Sequence, residues 1–225
     1  MSGKTSKKSA SNASGDPTQN LQNFNLLDLQ QYTFEQTYSS NPSKDFHLFY
    51  VGRDDVHDII KHVLSRVSVS LYLNMYSYDD TELNDIIMSK VLDKNITVLI
   101  TLDKTETGSK TEKALLASNA AKNPAAYNSH FVIGSSSTGQ ISHTKGFVAD
   151  GKVAAEGSTN WSTSGEGIGT PGTPGYKAQN NTQSIITDPD TISRFTAQLI
   201  REHMAAQGKA LSNPGMSSSL SPGGG

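Results

Sequence analysis

The chain reads as one α/β domain in which helices flank both faces of a mixed β-sheet. From about residue 46 the apolar residues switch repeatedly between a period of two and a period of 3.6, so strand-like and helix-like segments alternate. The later part breaks that alternation with a β-rich hairpin, which adds antiparallel strands to the sheet. At 225 residues the chain lies within the size that a single core serves.

The elements follow in order. His47 to Val51 reads as a short strand, after which Val56, Ile59, Ile60, Val63 and Leu64 fall on one helix face. Val67, Val69, Leu71, Leu73 and Met75 then alternate with polar or tyrosine positions as a strand does. Thr81 is a candidate cap for a helix carrying Leu83, Ile86, Ile87 and Val91, and Ile96 to Leu102 is a buried strand ending at Asp103. A helix near Lys110 to Ala121 precedes a strand at Phe131 to Ile133. Lys145 to Ala149 and Val153 to Glu156 are joined at Asp150-Gly151, a favoured two-residue hairpin turn. Gln183 to Thr187 is a further strand. Asp188-Pro189 then opens a last helix that packs Ile192, Phe195, Leu199 and Met204.

The domain is expected over 43–207, with a disordered or poorly structured segment over 1–42 and a disordered Ser, Gly and Pro-rich tail over 208–225. Setting aside the first 20 and last 18 residues leaves 15 basic residues against 20 acidic ones. Such a core carries no basic footprint of a dedicated duplex-DNA binder. Cysteine is absent, which excludes disulfides and thiolate metal sites. No run approaches the roughly 20 apolar residues of a membrane span, and the first residues lack the apolar stretch expected of a secretory signal. The compartment stays open between the cytoplasm and export without a cleaved signal.

The informative stretch runs from His143 to Asn160. It holds His143 and Lys145 two apart, Asp150 five further on, then Gly157, Ser158 and Asn160. Residues two apart on a strand face the same way, and a hairpin turning at Asp150-Gly151 brings the two pairs together. Imidazole serves as nucleophile or proton donor near neutral pH, while ammonium, hydroxyl and amide groups offer donors to phosphate oxygens.

The pattern HxK, four residues, D, six residues, GSxN resembles the signature of the phospholipase D superfamily, over roughly residues 46 to 205. One copy is present, as in the small single-motif endonucleases of that superfamily. The resemblance implies a homodimer whose active site lies on its twofold axis. It also implies metal-independent phosphodiester cleavage through a phosphohistidine. His143 would be nucleophile in one subunit and acid in the other, with Lys145, Ser158 and Asn160 holding phosphate oxygens and Asp150 organising the hairpin. Family members often carry an acidic residue in an N-x-E segment that orients the histidine. Asn181-Thr182-Gln183 stands there, so Gln183 is the matching position, with Glu156 and Glu166 as other candidates.

No cofactor and no metal are expected, because the sequence offers no obvious cluster of Asp, Glu and His ligands. Trp161 is a candidate for stacking on substrate, with packing as its bland reading. Tyr72, Tyr76 and Tyr78 read as core or interface, and His47, His57, His62, His130 and His203 as structural or solvated. The Gly- and Pro-rich stretch Gly165 to Tyr176 reads as a loop beside the site, either capping substrate or meeting the dimer mate, or as a tolerated insertion. DNA or RNA is the leading substrate. The rivals are a lipid phosphodiester, cut or transferred by the same residues, and a binding module whose catalysis has weakened, for which Gln183 is the motive.

Overall fold

Seven strands form a single sheet in the computed structural model, which describes residues 20–33, 43–103, 131–134 and 143–212. They are β1 (Phe46–Tyr50), β2 (Ser70–Met75), β3 (Thr97–Asp103), β4 (Phe131–Gly134), β5 (Lys145–Ala149), β6 (Val153–Gly157) and β7 (Thr182–Ile186). The order across the sheet is β1-β7-β6-β5-β2-β3-β4. The pairs β2–β3 and β3–β4 are parallel, and the others antiparallel, so the sheet is mixed as expected. The helix expected near Lys110 to Ala121 lies outside the described residues.

The period-two pattern decides what each face packs against. Leu71, Leu73 and Met75 of β2 join Val98, Ile100 and Leu102 of β3 and Phe147 of β5 under helices α1 (Val56–Ser65) and α2 (Thr81–Leu92). On the other face Val148 and Ala154 meet Ile192 and Leu199 of the last long helix, α4 (Pro189–Ser212), with Tyr72, Ile186 and Phe195 half-buried around them. A single turn, α3 (Thr163–Glu166), follows the motif. Helices on both faces are therefore what the strand pattern dictates.

Several boundaries differ from the sequence reading. Asp80 rather than Thr81 caps α2, because it is extended and its carboxylate accepts the Leu83 N–H at 2.7 Å. Met204 faces solvent at 55% exposure and is not part of the α4 packing stripe. The α4 helix runs to Ser212, into the segment expected to be a tail. Within the segment expected to lack structure, residues 20–33 form two 3-10 turns, Leu21–Asn23 and Leu26–Tyr32, that bury Leu21, Leu26 and Leu29 in the core. The Tyr32 hydroxyl lies 3.0 Å from His62 Nδ1.

The hairpin forms where expected. Asp150 has φ +53° and Gly151 φ +62°, the two positive values of a type I′ turn that match the twist of β5 and β6.

Candidate active site

The site is built at the end of the sheet where β2 finishes and β5 begins. Lys145 pairs with Met75 in the β2–β5 ladder and shares a face with Phe147, toward α1 and α2. Its side chain is buried at 4% exposure. The ammonium donates to the His143 carbonyl at 2.9 Å and lies 4.6 Å from the centre of the Tyr76 ring. His143, just outside the strand, is exposed, and its imidazole packs on the same tyrosine at 4.4 Å between ring centres. Tyr76 thus touches both residues of the HxK pair through a cation–π contact and a ring contact. The sequence reading placed Tyr76 in the core or an interface; only the β2–β5 register shows that it closes a triangle with His143 and Lys145.

Continuing the β5–β6 register sets Gly157 beside Lys145, and Gly157 pairs in turn with Gln183 of β7. A Cβ on Gly157 would lie 2.2 Å from the Thr182 carbonyl oxygen, so only glycine fits there. Gly157 thus lets the β7 backbone come close between Lys145 and Gln183, which stand two strands and about 10 Å apart. Gln183 is buried, and its amide donates to the Ser184 carbonyl at 3.3 Å. Among the described residues no hydrogen bond joins it to His143. Glu156 is exposed and its carbonyl accepts the Ser184 hydroxyl. Glu166 is buried against a different histidine, His57.

Beyond Gly157 the chain carries Ser158 and Asn160 to the same end of the sheet. The Ser158 hydroxyl donates to Asn181 Oδ1 at 3.1 Å and accepts the Thr182 N–H at 3.0 Å. Its one proton is therefore committed to Asn181, which itself donates to the Gly165 carbonyl at 3.0 Å. Asn160 is half-buried, and its Oδ1 is buried without a hydrogen-bond partner among the described residues. An acceptor left so costs free energy until some group donates to it.

Two candidates stand elsewhere. Asp150 is at the opposite end of β5, about 17 Å from Lys145 at the rise of an extended strand. Its carboxylate accepts the N–H groups of Ser68, Val69 and Ser70, at 2.8 Å and 2.9 Å for the last two, together with the Ser68 hydroxyl at 3.0 Å. It organises the hairpin, and no substrate group at His143 can reach it. Trp161 is 1% exposed and packs between Tyr78 and Phe147, with ring centres at 5.7 and 6.0 Å. Packing, not stacking on substrate, is its role here. Its backbone binds the turn after β2, donating to Ser77 and accepting from Asp79 and Asp80.

A polar cluster that the sequence did not reveal lies behind that turn. His57 Nδ1 is 3.3 Å from both Asp80 Oδ2 and Glu166 Oε1, and its Nε2 is 3.0 Å from Glu82. Burial disfavours charge on His57, but hydrogen bonds to Asp80, Glu166 and Glu82 outweigh it and raise the imidazole to about 11. Burial pushes the Glu166 carboxyl up to about 8. The three carboxyls thus favour the charged form of His57, while burial favours the neutral form of Glu166. No local spacing signals the cluster, since His57 and Glu166 are 109 positions apart.

The fold matches that of a phospholipase D family member among solved structures. Among solved structures the chain is similar to the phospholipase D family member Nuc from Salmonella typhimurium, with 16% identity over 70% of this chain and 92% of that one and a TM-score of 0.52. It is also similar to NucT from Helicobacter pylori, with 18% identity, coverage of 71% and 96%, and a TM-score of 0.54. Phosphatidylserine synthase from Haemophilus influenzae Rd KW20 matches with 13% identity, coverage of 76% of this chain and 38% of that one, and a TM-score of 0.54. No protein-family model and no curated protein matches the chain. Among the described residues no helix is long and apolar enough to cross a membrane.

Proposed function

We propose that the protein is a phosphodiesterase, an endonuclease acting on DNA or RNA, whose chemistry uses a histidine pair and draws on no metal. The observation that carries the reading is the exposed His143 set beside the buried Lys145 ammonium, with a single such histidine in the motif. Two histidines are needed, so a second copy of the chain completes the site across a twofold axis.

Neutral His143 of one subunit attacks phosphorus; a P–N bond forms as the P–O bond to the leaving oxygen breaks. The leaving oxygen takes the proton of His143 in the other subunit. Water then attacks phosphorus and gives a proton to that second histidine, and the P–N bond breaks. Lys145 supplies a fixed positive charge near the oxygens that gain charge, and the Asn160 amide a further donor. The Ser158 hydroxyl donates only if it exchanges Asn181 for a phosphate oxygen. Fold likeness to Nuc and NucT supports the nuclease reading; likeness to phosphatidylserine synthase keeps lipid phosphodiesters as a second substrate class.

The test incubates purified protein in EDTA with labelled DNA, RNA and phospholipid in parallel, alongside His143→Ala. Cleavage of a nucleic acid without added divalent ions, lost in His143→Ala, is expected. Turnover of phospholipid alone would move the assignment to lipid. Turnover that, per folded molecule, needs a supplied divalent ion, or that survives in His143→Ala, overturns it.

A further inference from the structure

The three side chains that meet at His57 Nδ1 are buried. Those of His57 and Asp80 are 9% and 4% exposed, and that of Glu166 is wholly buried. The three come from different elements: His57 from the first turn of α1, Asp80 from the cap of α2, and Glu166 from the turn α3 that leaves the motif.

As a hydrogen-bonded network the arrangement is poor. One ring nitrogen, Nδ1, faces two carboxyl oxygens at 3.3 Å, whereas a charge-assisted N–H···O bond closes to about 2.7–2.9 Å. Glu166 Oε2 is buried and has no hydrogen-bond partner among the described residues. Without another cation, the Asp80 and Glu166 carboxyls must share a proton to coexist.

As a coordination shell the same distances fit. Ligand atoms about 2.0–2.1 Å from a tetrahedral ion stand about 3.3 Å from each other, and His57 Nδ1 keeps that spacing to both oxygens. The donor atoms of the three side chains lie within 4.8 Å of one another. The surroundings match as well. Glu82 accepts from His57 Nε2 at 3.0 Å, which fixes Nδ1 as the free ligand nitrogen, and Lys61 pairs with Glu82 in turn. Asp80 Oδ1 is held by the Leu83 N–H. Three carboxylates, one lysine and a neutral imidazole leave two negative charges, which a divalent ion cancels. The orphan Glu166 Oε2 is a further donor on the same carboxylate.

We propose that His57 Nδ1, Asp80 and Glu166 hold a divalent transition metal of the Zn2+ class as a structural staple between α1, α2 and the segment leaving the motif. The staple ties α3 to the turn that Trp161 binds, one residue from Asn160. It takes no part in cleavage, so the rate per folded molecule does not depend on it.

The test uses the full chain, stripped of metal and titrated with Co2+ and separately with Zn2+. One equivalent of Co2+ per chain should develop the visible absorption of a tetrahedral site. Zn2+ should displace it and raise the melting temperature by at least about 5 °C. Glu166→Gln should lose the absorption and the Zn2+-dependent shift. Glu82→Gln keeps all three ligands and should weaken binding about 10–100-fold, which covers the case in which Glu166→Gln fails to fold. His143→Ala should bind Co2+ like the unsubstituted chain, so the outcome does not hang on the nuclease reading. No stoichiometric uptake of Co2+ or Zn2+, together with an unmoved melting temperature, overturns the proposal and leaves a shared proton in the cluster.

Discussion

Replacing Asp150 with alanine should unfold the protein more readily and leave its chemistry alone. The carboxylate gathers three backbone N–H groups and one hydroxyl at the start of β2. The Ser68 and Val69 groups are exposed and return to water when the acceptor is lost, so each costs only a few tenths to about 1 kcal/mol. Ser70 is buried, and its N–H left unpaired costs about 1–3 kcal/mol. Alanine must also adopt the left-handed φ of +53° that aspartate tolerates, which costs about 1 kcal/mol more. The sum is about 3–6 kcal/mol, or about 6–24 °C in melting temperature for a domain of this size. Urea unfolding followed by circular dichroism measures the loss. Cleavage assayed well below the new midpoint, per folded molecule, should stay within about threefold of the unsubstituted chain. A variant with unchanged stability and no turnover would refute the argument, because it would place Asp150 in the chemistry despite its 17 Å separation along the strand.

Tyr76→Leu removes the ring on which the His143 imidazole and the Lys145 ammonium rest, and should lower kcat about tenfold, the worth of a desolvated cation–π contact. Tyr76→Phe keeps the ring face and should retain most of the rate; equal losses in the two variants would point to the hydroxyl instead. His62 is buried beside Arg66, and burial first, then that charge, lowers its pKa to about 4, so the native state holds it neutral. The unfolded chain binds that proton from about pH 6.5 downward, so stability is complete above 6.5 and falls by about 3 kcal/mol as pH drops to 4. His62→Phe should flatten the pH dependence of the urea midpoint across this window, and a slope unchanged by the substitution would exclude His62 as its source. Gln183→Glu adds a negative charge on β7 and should move the upper limb of the pH–rate profile upward by about one unit, the shift that a charge about 10 Å away gives at an effective dielectric of 20. An unmoved profile would show that the β7 position does not act on the histidine pair.

Legibility in the sequence followed the range of the interaction that decides each feature. The hairpin was readable because Asp150-Gly151 and the alternation of β5 and β6 are local, and the helix faces because period 3.6 is local too. His143 and Lys145 were readable as a pair because two residues on one strand must share a face. Asp150 belongs to the same motif spacing, yet spacing along a strand does not say which end of it carries the chemistry. Trp161 follows Asn160 immediately, but the turn that covers it, Ser77 to Asp80, joins it only through tertiary contacts. The 3-10 turns before Tyr32 were hidden by a polar composition in which three leucines suffice to bury the segment. The His57 cluster assembles from three distant stretches, and no window of sequence contains it.

The interior placement of Lys145 bears on how the protein meets its substrate in a crowded ionic medium. A surface lysine attracts phosphate from a distance, but dissolved ions screen it within about 8 Å at physiological strength. The Lys145 ammonium, 4% exposed and resting on an aromatic face, is shielded from that atmosphere and exerts its pull only on a group already seated beside it. With 15 basic residues against 20 acidic ones outside the tails, the chain should gather polyanions only weakly from solution. Added salt should therefore slow capture far less than it does for proteins that release many counterions on binding. On the proposed function, discrimination falls to the seated phosphodiester rather than to the approach.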